Sequence, residues 1–288
     1  MNILFFCPDF QTFGKPNDLD ARNRFLNKLS KIYIVYHSTI ISFMVISSLF
    51  YIPQCKENNI VKNQKEVCGL PALTWLPFNF DVVPFKQIVY LYQVYSVLIV
   101  YQTAGLLSFF MFATLEHLVL RFNHVGDMFV ETLSEKNPVI RRQKFIVAVK
   151  YHQAVIEMGN LVNRCFSPCM MVHISLTGPF IGVAAYTFLT KIPLDTTALM
   201  IGWMISTFTV CQGGQRLMEA SLNIGNIMYK VDWYNLEADL QKDLLLVIIR
   251  SRKPVYLRAG PFGPITYSTI STILKTSYSY VTLLLQTM

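Results

Sequence analysis

From Ile88 to Leu115 the chain runs 28 residues without a charged side chain. At about 1.5 Å per residue, a helix of that length exceeds the roughly 30 Å hydrocarbon core of a bilayer. A tilted helix, or one projecting into water, is the expectation. The pattern recurs along the chain. Ile32 to Ile52 is uncharged between Lys31 and Pro53, Pro168 to Thr190 and Thr196 to Gln215 follow, and Ile265 to Met288 carries only Lys275. Charged residues make up 15% of the chain, against about 25% in soluble domains. The expected fold class is all-α, a polytopic transmembrane helix bundle of five spans.

The regions between the spans differ in kind. Residues 1–31 open on an apolar run, Asn2 to Phe6, too short for a signal peptide and followed by Pro8, Asp9 and a polar stretch, with no small-residue cleavage pattern. Residues 32–115 hold the first two spans, joined by a loop over 54–87. Over 116–163 the apolar positions Leu118, Phe122, Val125, Phe129 and Leu133 recur at helical spacing among charges, Asn137-Pro138 interrupts them, and Ile146, Val149, Ile156 and Leu161 resume. Residues 164–215 supply the third and fourth spans, with Gly178-Pro179 expected to kink the third. A second amphipathic charged region, 216–260, leads to the last helix, 261–288.

Lys and Arg positions set the expected orientation. Eighteen fall before the first span, in 116–152 and in 216–258, against five in the segments expected on the other side. By the positive-inside rule the N-terminus is cytoplasmic and the C-terminus extracellular. The net charge of +8 is then a topological signal, and no nucleic-acid partner is expected.

Few residues suggest chemistry. No phosphate-binding glycine loop, metalloprotease motif, nucleophile elbow or intramembrane carboxylate pair is present, so no enzymatic activity and no cofactor are expected. Cys165, Cys169 and His173 share a helical face but lack a nearby fourth ligand, and no metal is expected. Cys55 and Cys68 fall in the expected outer loop, either as a disulfide or as two free thiols. Lys275 must reach water or a partner, by an aqueous pathway or by snorkelling. The last helix is rich in hydroxyls, which either face protein, ligand or water as a set or bond to their own helix carbonyls.

A set of ordered motifs resembles the insect odorant receptor family. They are Gly214-Gln215-Arg216-Leu217-Met218-Glu219-Ala220-Ser221, then Tyr229 and Trp233-Tyr234, Arg250-Ser251-Arg252-Lys253-Pro254, Ala259-Gly260-Pro261-Phe262, Thr266-Tyr267-Ser268 and Tyr278-Ser279-Tyr280 to Gln286. Leu76 to Pro84 also resembles that family's outer loop. The resemblance implies a tuning subunit of a ligand-gated, non-selective cation channel of four subunits. Its partners would be an obligate odorant receptor co-receptor in a heterotetramer, a small volatile apolar ligand and the lipid membrane. Its place would be the plasma membrane of olfactory sensory neurons, crossed several times.

In that family the cytoplasmic helix ends form an anchor and the last helix lines the pore. Carried over, the gate falls on Leu283 and Thr287, the latter more polar than is usual there, with Lys275 on the same helix. The ligand-binding candidates are Met44, Ser47 and Tyr51 on the first span, Tyr92 and Tyr95 on the second, and Phe180 and Tyr186 on the third. The family has seven spans and this chain five, its first span matching the family's third. Either Met1 is not the start of the protein, or the chain is a truncated, non-conducting or regulatory subunit. A gustatory-type channel is the other reading, since Ser279-Tyr280 to Gln286-Thr287 keeps that branch's terminal spacing.

Overall fold

The computed structural model describes residues 13–16, 18–61, 67–71, 76–77, 81–191 and 194–286. Among them are seven α-helices: α1 Leu19–Phe50, α2 Ile52–Val61, α3 Phe85–Leu133, α4 Pro138–Lys191, α5 Leu194–Lys230, α6 Ala238–Ser251 and α7 Tyr267–Gln286. Three of these, α1, α3 and α4, are long and apolar enough to cross a membrane. The other two expected spans coincide with α5 and α7, whose apolar residues are diluted by Thr, Ser and Gly. In a bilayer each backbone N–H and C=O must be satisfied within the protein, and long helices do this locally.

The helices outrun the expected spans. α3 is 49 residues long, about 74 Å, so it projects well beyond a bilayer core. Its break comes where the sequence places it: Asn137 Oδ1 accepts the Val139 N–H at 3.0 Å, capping α4 with Pro138 in its first turn. α1 begins at Leu19 rather than near Ile32, because the polar stretch before the apolar run still carries buried Leu26. The loop expected over 54–87 is partly helical, since α2 occupies Ile52–Val61. α4 continues as one helix through Pro168 and Pro179. Gly178 and Gly182 follow that same stretch onto α7, where added Cβ atoms would lie 3.1 Å from Thr276 and 2.6 Å from Tyr280.

Antiparallel connections give the bundle two ends. One holds α2, the C-terminus of α4 and the N-terminus of α5; the other holds the 134–137 turn, α6 and the loop 252–266. The most extensive helix contact is α3 on α5, and the continuous core lies towards the second end. There Leu118, Phe122, Val125 and Phe129 are all fully buried. On α4 the buried stripe is Phe145, Ala148, Tyr151, Val155, Met158 and Val162. The expected stripe was offset: Ile156 is buried, but Ile146 is 45% exposed. Both sets have helical spacing, and period alone does not choose between two apolar faces.

The loop 252–266 acts as a strap. Ala259 N–H donates to the Gly263 carbonyl and Ile265 N–H to that of Leu257, with Gly263 at φ 87°, a left-handed conformation that favours glycine. The strap is tied to the long helices by three further bonds: Val255 N–H to Ser221 Oγ, Arg258 N–H to Asn163 Oδ1 and Gly260 N–H to Ser167 Oγ. Gly214 of α5 lets the Ile265 carbonyl approach; a Cβ there would lie 2.4 Å from that oxygen.

Candidate functional site

The ligand-binding candidates differ in their burial. Tyr51, Tyr92 and Tyr95 are exposed, at 43%, 70% and 63%. Met44 and Tyr186 are half-buried. Ser47 is buried but donates to the Met44 carbonyl at 3.0 Å, a bond within its own turn. Phe180 packs on Trp203, ring centroids 5.0 Å apart.

Trp203 leads to what the fold does assemble. Between α1, α3, α4 and α5 lies a small, partly open cavity of about 20 Å³ bordered by His37, Tyr101, Ser108, His173, Trp203 and Ser206. Aromatic rings form its frame. His37 sits 4.4 Å from Tyr33 and 4.9 Å from Tyr101 between ring centroids, and His173 stacks on Trp203 at 5.2 Å. Two glycines make this density possible. A Cβ at Gly105 would lie 2.6 Å from the His37 ring, and one at Gly202 would lie 2.6 Å from the Tyr101 hydroxyl.

Most polar groups around the cavity are engaged. His173 Nε2 lies 3.2 Å from Thr207 Oγ1, Trp203 donates to Thr177 Oγ1 at 3.0 Å, and Ser108 donates to the Ala104 carbonyl. His37 is only 4% exposed. Neither of its ring nitrogens, nor the Tyr101 hydroxyl, has a hydrogen-bond partner among the described residues. Sequence reading passed over this cluster. The signal was there: His37 is the one titratable side chain other than tyrosine within the uncharged run Ile32 to Ile52.

A second unforeseen centre lies deeper in the bundle. Glu116 of α3 is fully buried, accepts from Arg216 Nη1 at 2.6 Å, and is ion-paired with Arg22 Nη1 at 3.1 Å. It joins α1, α3 and α5 through one carboxylate. Its position just after the uncharged run ending at Leu115 marked it as the first charge of α3 beyond that run, but not as buried.

α7 presents two faces. Ile273 and Ser277 are buried against α4, and Ser277 donates to the carbonyls of both Ile273 and Gly178. Thr272, Thr276, Ser279 and Thr282 bond back to carbonyls of their own helix. Its polar composition is therefore largely satisfied locally, as Ser and Thr allow. Lys275 and Leu283 lie on the exposed side, Leu283 at 56%. Thr287 lies outside the described residues.

Cys55 and Cys68 are joined by a disulfide, Cα atoms 5.7 Å apart. Cys165 and Cys169 are free thiols, and among the described residues no three His, Cys, Asp or Glu side chains cluster as metal ligands. A wider groove, about 800 Å³, runs between α4 and α6 and is bordered by Phe145, Val149, His152, Ile156, Leu246 and Arg250. α6 buries Leu240, Leu244 and Val247 while leaving Leu245, Leu246 and Ile249 more than half exposed. It is held to α4 partly by the Arg142–Asp243 ion pair.

Comparison with known proteins fits these features. The chain is 25% identical over 146 residues to Odorant receptor 85b of Drosophila melanogaster, covering 49% of this chain and 37% of that protein. It is 26% identical over 234 residues to Odorant receptor Or2 of Anopheles gambiae, covering 75% of this chain and 61% of that protein. The matches thus span 37% and 61% of these relatives' own length. Among solved structures, the insect olfactory receptor OR5 from Machilis hrabei in complex with eugenol superposes with TM-score 0.78 at 13% identity, over 100% of this chain and 73% of that one. The fold is therefore shared. The family is one of receptors, not enzymes, and its members are membrane proteins. The family model described as 7tm Odorant receptor matches residues 12–278, and the chain belongs to that family.

Proposed function

We propose that this chain is a subunit of an odorant-gated, non-selective cation channel that works with the family's co-receptor in the plasma membrane of olfactory neurons. The observation that carries this reading is the match to the odorant receptor family over residues 12–278. The Machilis hrabei receptor OR5 was solved in complex with eugenol, and by the same logic a small volatile ligand is proposed for this chain.

The orientation, the pore and the subunit contacts are proposed from the geometry. The Cys55–Cys68 disulfide suits an oxidising exterior, and it lies on the side with few Lys and Arg, so the C-terminus is proposed to be extracellular. α7 is proposed to line the pore, with its packed face on α4 and the side bearing Leu283 and Lys275 towards the conduction path. A ring of Leu283 closes such a path by dewetting. Thr287 is proposed to continue that gate. The exposed Leu245, Leu246 and Ile249 of α6 are proposed to pack against other subunits on the cytoplasmic side. The ligand is proposed to enter on the disulfide side, among Met44, Ser47, Tyr51, Tyr92, Tyr95, Phe180 and Tyr186, above the His37 cavity.

The test is odorant-evoked current in cells expressing the chain with the co-receptor and, separately, alone. Current only with the co-receptor is the expected result. Current from the chain alone would favour a gustatory-type channel, and surface assembly without current would make it a regulatory subunit.

A further inference from the structure

We propose that the cavity between His37, Tyr101 and Trp203 is a hydroxyl-recognition site, and that the ligand of this chain is a small neutral molecule carrying a hydroxyl group. This rests on the receptor reading above and specifies its ligand class.

In folded proteins nearly all buried polar atoms have partners, so an exception calls for a hydroxyl-sized partner, a water or a ligand group. Around this cavity His173, Trp203 and Ser108 are engaged, whereas both ring nitrogens of His37 and the Tyr101 hydroxyl have no hydrogen-bond partner among the described residues. A neutral imidazole offers one donor and one acceptor, and a hydroxyl is the smallest group that answers both. No Asp, Glu, Lys or Arg borders the cavity, so a charged ligand group would be left unpaired at high cost. A hydrocarbon would leave the His37 nitrogens unsatisfied.

Size agrees with this assignment. About 20 Å³ admits a group the size of a hydroxyl or a single water, not a whole volatile molecule. The hydroxyl occupies the cavity between His37 and Tyr101, and the hydrocarbon leaves through its open side. Gly202 gives the Tyr101 hydroxyl its room.

Trp203 borders the cavity and reports on it. The experiment is a fluorescence titration of the full chain in lipid nanodiscs with benzyl alcohol and with toluene, which differ by the hydroxyl. Benzyl alcohol is expected to bind about tenfold tighter, the scale of one well-made hydrogen bond. In His37→Phe the ratio falls to near one, while His37→Gln, which retains a donor and an acceptor, keeps most of it. A merely structural His37 would instead lower both affinities together and leave their ratio unchanged. Equal affinities in the unaltered chain, a preference that survives in His37→Phe, or no binding of either probe each overturns the hydroxyl assignment. Equal affinities accompanied by toluene-evoked current in co-expressing cells would leave the receptor reading standing without it.

Discussion

The two halves of the bundle are packed differently, although the same long helices run through both. Towards the strap, α3, α4 and α5 enclose Phe122, Phe129, Tyr151, Leu217, Ile224 and Met228 with almost no exposure. Towards the disulfide, α1 and α3 leave Phe50, Leu91, Tyr92 and Val100 each about two-thirds exposed or more. Of the largest fully buried side chains described, only Ile41 belongs to the disulfide half. The strap half closes on itself within one chain. The disulfide half leaves its apolar surface open to lipid or to further protein, and the proposed hydroxyl site lies at its floor.

This contrast can be broken by substitution, with stability read from thermal unfolding in detergent. The largest loss is expected for Glu116→Ala, which strips Arg22 and Arg216 of a fully buried partner. A broken buried ion pair costs about 3 kcal/mol at the low end of its range, and the low end applies because both arginines keep contact with water. Gly214→Ala comes next, at about 1–3 kcal/mol, since the added Cβ meets the Ile265 backbone oxygen rather than a yielding side chain. Ser221→Ala leaves the buried Val255 N–H without its acceptor, and about 1–2 kcal/mol is expected. Leu91→Ser, on the exposed face of α3, is expected to stay within about 0.5 kcal/mol. A loss there as large as that of Ser221→Ala would show that the disulfide half is packed after all.

The smallest effect is electrostatic. The Lys144 ammonium, by hydrogen bonding, holds the Glu135 carboxyl below its ordinary value of 4.5. A carboxyl lowered in the folded state adds stability above that ordinary value, and the contribution is lost as pH falls through the lower folded value. Unfolding midpoints of the unaltered chain and Glu135→Gln should differ slightly near neutral pH and converge below pH 4.5. A difference that grows on acidification would reverse the sign and remove the pair as its cause.

Several features were legible because one local rule governs them. Leu118, Phe122, Val125, Phe129 and Leu133 were identifiable as a core stripe by their helical spacing, with Asp127 and Glu131 on the exposed face of α3, although Glu116 and Arg121 are buried charges that break the pattern. On α4 the same rule was right at Ile156 and wrong at Ile146, because Ile146 and Val149 border a groove and are apolar as well. The motifs carrying the family resemblance find their reason in the strap. Gly214 and Ser221 meet its backbone, and Gly260 hydrogen-bonds to Ser167.

By itself the sequence determined that this is an all-helical membrane protein of the odorant receptor family. Its uncharged runs of bilayer length call for helices, because a backbone buried in lipid must bond within its own segment, and its ordered motifs carry the family. It did not determine where the helices meet. His37, Tyr101 and Trp203 are separated by 64 and 102 positions, as Arg22, Glu116 and Arg216 are by 94 and 100. Only the packing of α1, α3 and α5, set by glycines that admit an aromatic ring or a carbonyl at close range, decided that those residues share a cavity and an ion cluster.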